Sequence, residues 1–257
     1  MQSSIGELPH ITADILARVR ARRPRVHCIT NAVAQTLTAN MLLAAGAIPS
    51  MTISPDEVAD FVAHANALLV NLGTLDANRR EAMGMVVAVA TTQAIPWVLD
   101  PVFIDRSSPR AAFADELMTH APRAVRLNRA EFATLAGCDA NELTLARCAR
   151  EWNTVIGLTG ETDLVSDGRR LARIENGDPL MARVTAMGCA GSALVGAFLA
   201  VEADGCLATA AALLAIGVAG EVAAARARGP GSFAAEILDA IYGLDRETLI
   251  ARARVVR

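Results

Sequence analysis

Ala67-Leu68-Leu69-Val70-Asn71 is apolar until its last residue and is followed almost at once by Gly73-Thr74. A short run of this kind, bounded by turn residues, reads as a strand buried on both faces, as in a parallel sheet. The pattern recurs in Val26-His27-Cys28-Ile29, Ala47 to Met51, Pro96 to Asp100, Ala124 to Leu127 and Val155 to Leu158. Helix-period segments lie between these runs, near 33–45, 55–65, 76–92, 109–120, 129–136 and 141–152. The alternation predicts an α/β fold with a mostly parallel central sheet and helices on both faces. Asp163 to Ile174, centred on Asp167-Gly168, predicts a hairpin added to that sheet. Beyond Cys189 the chain reads as almost all helix, with Ala-rich segments near 206–228 and 232–243 separated by Gly229-Pro230-Gly231-Ser232. With no repeat, linker or composition break, one domain is expected over residues 1–257.

The composition bounds the function. Hydrophobic content of 53% with 4% aromatics implies a core of Ala, Val and Leu, in which helices pack closely through small side chains. A formal charge of −3 argues against nucleic acid as the main partner. The basic run Arg18, Arg20, Arg22, Arg23, Arg25 reads as the solvated end of a first helix. Cys28, Cys138, Cys148, Cys189 and Cys206 are odd in number, scattered and never in a C-x-x-C pair, which predicts reduced thiols and a cytoplasmic setting. Residues 1–23 have no apolar run of signal-peptide type. Val184 to Val201 is uncharged over 18 residues, the length of a membrane span. Its glycine-containing start, its Ala, Gly and Ser content and the lack of an aromatic belt predict a buried helix instead.

Polar groups cluster just after the predicted strands: Thr30-Asn31, Gly73-Thr74, Asp100, Asn128 with Glu131, and Thr159-Gly160, with Cys189 at a later helix start. In an open α/β sheet the carboxyl ends of the strands form the ligand crevice, so these groups are expected on one rim. The run Thr185-Ala186-Met187-Gly188-Cys189-Ala190-Gly191-Ser192 opens an apolar helix, and a small-residue turn before a helix presents unpaired N–H groups to an anion. Its thiol is either core filler or part of the chemistry. A nucleotide P-loop is excluded, because that motif needs lysine and the chain has none. Asn128-x-x-Glu131 is also the spacing of a helix capping box, a role compatible with a carboxylate shared with a water-bound metal. Asp100 at the end of an apolar strand calls for solvent or a cation, and Arg126 inside a buried strand calls for an anion. His27 reads as a hydrogen-bonded core histidine and Met51 as core packing.

Together, Val26 to Asn31, Asn40, Asn71-Leu72-Gly73-Thr74-Leu75, Asp100-Pro101-Val102, Arg126-x-Asn128-x-x-Glu131, Leu158-Thr159-Gly160-Glu161-x-Asp163, Gly188-Cys189 and Gly229 to Phe233 resemble hydroxyethylthiazole kinase, nearly end to end. The resemblance implies a ribokinase-like fold and ATP- and Mg2+-dependent phosphorylation of 4-methyl-5-(2-hydroxyethyl)thiazole for thiamine. It implies a thiazole pocket lined by Asn31, Met51 and Ala186, ATP contacts from Arg126, Thr159 and the Gly188 helix start, and Asp100 and Glu131 around Mg2+. Cys189 would stand where most ribokinase-like enzymes carry a catalytic aspartate. A homotrimer with sites at the subunit interfaces is implied too, in which Asn31 and Met51 serve a neighbour. The chain departs from the family pattern at Ala186 and Phe103, each replacing a glycine, and at Leu127, and the segment between Glu131 and Thr159 is shorter. Rival readings are a kinase for hydroxymethylpyrimidine or pyridoxal, an ATP-dependent hydrate dehydratase of the same fold, or a binding protein that no longer transfers phosphate.

Overall fold

The computed structural model describes residues 3–256. The chain opens with α1 (Ser3–Gly6) and α2 (Leu8–Arg22), then alternates strand and helix. In order come β1 (Arg25–Ile29), α3 (Gln35–Ala45), β2 (Ile48–Ser50), α4 (Val58–Ala63), β3 (Ala67–Asn71), α5 (Ala77–Thr92) and β4 (Trp97–Asp100). There follow α6 (Ser108–Met118), β5 (Ala124–Asn128), α7 (Arg129–Ala136), α8 (Glu142–Glu151) and β6 (Val155–Thr159). The hairpin is β7 (Asp163–Ser166) and β8 (Leu171–Ile174). The last third holds α9 (Met187–Leu199), α10 (Gly205–Ala224), α11 (Pro230–Gly243), α12 (Arg246–Arg252) and β9 (Val255–Val256).

All nine strands form one sheet in the order β2-β1-β3-β4-β5-β6-β7-β8-β9. The first six are mutually parallel, and β7, β8 and β9 add antiparallel. Strand side chains alternate between faces. Val26, Cys28, Leu69, Val98, Ala124 and Val155 pack with residues of α2, α3, α9, α10 and α11. Leu68, Val70, Leu99, Val125 and Ile156 pack with α4 to α8. This is the expected α/β architecture, with its parallel strands apolar on both sides because both sides are covered.

Three expectations need adjustment. The predicted helix at 55–65 contracts to Val58–Ala63, and the one at 206–228 ends at Ala224. α12 and β9 were not legible, since a two-residue strand has no period of its own and exists only by pairing with β8. The arginine run is not simply solvated: Arg18 reaches the Val201 carbonyl and Glu202, and Arg20 the carbonyls of Ile241 and Tyr242, tying α2 to the helical layer. The uncharged stretch from Val184 is a helix of 13 residues, shorter than a span and mostly buried. Among the described residues, one helix is long and apolar enough to cross a membrane, α10, and it lies largely buried in the fold as a core helix.

Candidate active site

Sheet register brings the site together. Asn71 ends β3 directly beside Asp100, the end of β4. Arg126 lies beside Gly157, and Asn128 beside Thr159. By strand alternation Asn71, Asp100 and Arg126 share parity with Leu69, Val98 and Ala124, whose face is covered by α9. α9 supplies Gly188, Cys189 and Ser192 from its first turn and a half. The resulting cavity of about 440 Å3 is lined by Asn31, Asp100, Arg126, Glu131, Thr159, Ala186, Gly188 and Cys189, among others.

Asn71 is the hub of its polar network. Fully buried, it donates from Nδ2 to Asp100 Oδ2 at 2.7 Å and to Cys189 Sγ at 3.3 Å, and its Oδ1 accepts the Gly73 N–H at 3.0 Å. Asn31 Nδ2 donates to the same thiol at 3.1 Å and to Asn71 Oδ1 at 3.3 Å. A Cβ on Gly73 would lie 2.6 Å from that of Asn31, so only glycine lets Asn31 sit here. Ser192 Oγ donates to Asp100 Oδ2 at 2.8 Å. Asn71, Ser192 and Arg110, which also lines the cavity, were missed as site residues. Asn71 was legible as a polar residue ending an otherwise apolar strand, and Ser192 as the residue three beyond Cys189 on the same helix face.

Arg126 makes no hydrogen bond or ion pair among the described residues, and its Nε is buried without a partner. A Cβ on Gly188 would lie 3.1 Å from Arg126 Nη1, so any larger residue at the helix start would crowd the guanidinium. Such a group calls for an anion, since a buried donor left unpaired is costly. Thr159 donates to the Leu127 carbonyl at 3.4 Å. Asp163 accepts the Gly160 N–H at 3.0 Å, and burial raises its pKa to about 6, against the opposing pull of that bond and of Arg126.

Burial raises the pKa of Asp100, with Arg126, Ser192 and Asn71 opposing it. Burial also raises that of Glu131, and the charge of Asp100 adds to the effect. Glu131 does form the capping box of α7, its Oε2 accepting the Asn128 N–H at 2.9 Å and its N–H reaching Asn128 Oδ1 at 2.9 Å. Its Oε1 also accepts the Phe103 N–H at 3.0 Å, tying the loop after β4 to α7 on the cavity wall.

A helix start ordinarily favours a thiolate. At Cys189, burial and the charge of Asp100 raise the thiol to about 11, against the amides of Asn31 and Asn71 and the charge of Arg126. Met51 lies outside the cavity, half-buried just beyond β2 and packed against the core. His27 is a core histidine, bonded to Ser50 Oγ at 2.8 Å and the Thr52 carbonyl at 3.1 Å. Nε2 must carry the proton, since a carbonyl can only accept.

The sequence pattern of the hydroxyethylthiazole kinase family matches residues 16–247 of this chain. The chain belongs to the hydroxyethylthiazole kinase family. It is similar to the probable hydroxyethylthiazole kinase of Agrobacterium fabrum, 43% identical over 243 residues that cover 95% of this chain and 94% of that protein. It superposes on the hydroxyethylthiazole kinase of Pyrococcus horikoshii with a TM-score of 0.91 and 37% identity, covering 95% of this chain and 98% of that one. A ribokinase-like superfamily protein of Enterococcus faecalis shares the fold with a TM-score of 0.70 at 14% identity, over 91% and 95% of the two chains. Ala186 and Phe103, two positions at which the resemblance implied glycine, both fall on left-handed backbone, with φ of 70° and 58°. Glycine adopts that region without steric cost, whereas a residue with a Cβ is strained there.

Proposed function

We propose that this protein transfers the terminal phosphoryl group of ATP to the hydroxyl of 4-methyl-5-(2-hydroxyethyl)thiazole, feeding thiamine synthesis or salvage. The observation that carries this reading is the cavity itself: an unpartnered arginine, a glycine-opened helix start, two buried carboxylates and a thiol converge on one volume. Arg126 and the free N–H groups at the start of α9 bind the phosphate chain, with Thr159 on the nucleotide side. Asn31, Ala186 and Cys189 bound the place for the alcohol.

Asp100 and Glu131 fit Mg2+. Burial favours the proton on both, and the charge of Asp100 adds to this at Glu131, a penalty that a dication beside them reverses. Mg2+ is commonly held by one or two carboxylates, with phosphate oxygens and water completing its shell. When bound it neutralises charge on the phosphate chain. Asn71 and Ser192 hold Asp100 in place through Oδ2. Cys189 Sγ is fixed by the two amides beside Asp100, and with a pKa of about 11 it is a thiolate in roughly one molecule in ten thousand at pH 7. The alcohol proton leaves late in a loose transition state, so this weak acceptor contributes modestly beside positioning and charge.

Two features support a homotrimer with interfacial sites, to which Met51 would be lent while Asn31 lines the cavity of its own chain: Met51 lies outside that cavity, and Ile48 of the edge strand β2 and Phe61 of α4 are exposed apolar residues lining one pocket. The scattered, unpaired cysteines support a cytoplasmic enzyme. The presence of Cys189 instead of aspartate favours the thiazole alcohol over hydroxymethylpyrimidine, pyridoxal or a nicotinamide hydrate. The deciding experiment is ADP release with each alcohol in turn. Release only with the thiazole alcohol is expected, and none with it would sink the proposal.

A further inference from the structure

The cavity holds a second guanidinium. Arg110, the third residue of α6, lines it together with Arg126. Its Nη1 donates to the Val102 carbonyl at 2.9 Å, its Nε is buried with no partner, and Nη2 has no hydrogen bond among the described residues. Among the described residues no carboxylate pairs with it, although Asp100 and Glu131 line the same cavity. Partly buried arginines away from the cavity behave differently: Arg170 binds both Asp167 and Asp204, and Arg18 binds Glu202. An arginine with free donors that faces a cavity, anchored by one carbonyl, suits an anionic ligand with several oxygens.

Charge balance points the same way. If Asp100 and Glu131 offset the dication they hold, a nucleotide polyphosphate brings more negative charge than Arg126 alone counters. We propose that Arg110 is a second phosphate-binding cation of this site, contacting phosphoryl oxygens of the nucleotide or of the phosphorylated product through the donors it does not spend on Val102. The inference rests on the kinase reading above.

The test is titration of the intact protein, with Mg2+ present, by ADP, by the phosphorylated thiazole alcohol and by the unphosphorylated alcohol, for wild type, Arg110→Met and Arg110→Lys. Loss of a charge-assisted hydrogen bond should weaken ADP binding to Arg110→Met by roughly 10- to 150-fold. Affinity for the uncharged alcohol should stay within about twofold of wild type, and Arg110→Lys should recover part of the loss, keeping charge without the fork. A loss confined to the phosphorylated alcohol would assign Arg110 to the product's phosphate, within the same proposal. Unchanged affinity for both phosphate ligands overturns it. So does an equal loss for charged and uncharged ligands, or a collapse in melting temperature in both variants, because either would mean that Arg110 only clamps the Val102 carbonyl. A wild type that binds no ADP strikes the kinase reading itself.

Discussion

At the scale of single residues, two titrating groups give opposite lessons. Cys189 is held neutral, so the fraction able to accept a proton grows tenfold per pH unit until about pH 11. If its thiolate contributes, kcat should climb with pH between 7 and 9 in wild type and be flat in Cys189→Ala, which is expected to be about 10- to 100-fold slower at pH 8. Cys189→Asp should be flat and match or exceed wild type at pH 7. A flat wild-type profile would remove the thiol from the proton path. His27 is pushed down to about 4 by burial, below its ordinary value of 6.5. The unfolded chain therefore binds more protons between these values, and stability is lost as pH falls from 6.5 to 4, by about 3 kcal/mol at most. Asp163, raised to about 6, has the reverse sign, its contribution being lost as pH rises through that value, so the two slopes largely cancel. Comparing melting curves of wild type and His27→Gln over pH 4–7 isolates the histidine. Wild type should lose its advantage at the acid end, and parallel curves would refute the linkage.

At the scale of elements, the helix starts carry both fold and chemistry. α9 begins from Ala186 in the left-handed region, a conformation costing roughly 1–2 kcal/mol for a residue with a Cβ. Ala186→Gly should relieve most of that, less the greater entropy of glycine in the unfolded chain, for a net gain of about 0.5–1 kcal/mol and a melting temperature about 1–4 °C higher. A lower melting temperature would show that the methyl group packs better than it strains. α7 begins with a capping box whose glutamate also reaches the Phe103 N–H. Glu131→Gln still has an oxygen for one of the two N–H groups and should fold, yet need several-fold more Mg2+ for half-maximal rate. Glu131→Ala should in addition lose about 1 kcal/mol of stability. Equal Mg2+ dependence in wild type and Glu131→Gln would leave Glu131 a cap and no more.

At the scale of the molecule, the site is a product of register. Asn71 and Asp100 are 29 positions apart in the chain, and Asn31 and Cys189 are 158 apart, yet each pair is bonded across the sheet ends or onto α9. If the active sites lie between subunits, the protein should sediment at three times its 26.9 kDa, and a charge placed at the exposed Phe61 should shift that mass downward. A monomer with full activity would exclude interfacial sites.

Local pattern alone determined the alternation of buried runs and helices, the hairpin at Asp167-Gly168 and the capping box at Asn128. Each depends on residues within about a dozen positions, where hydrophobic period and turn chemistry act directly. The gathering of Asn31, Asp100, Glu131, Thr159 and Cys189 at the strand ends was legible from the same pattern, because parallel strands bring their carboxyl ends to one rim. Three things were decided only by the tertiary structure. Asn71 became the bridge between Asp100 and Cys189 because β3 and β4 pair in one register and not another. Cys189 lost the acidity its helix start promised because α9 buries it beside a carboxylate. Arg110 entered the site because the Val102 carbonyl holds it there. Register, desolvation and the facing of distant side chains are set by how elements pack, and no window along the chain contains them.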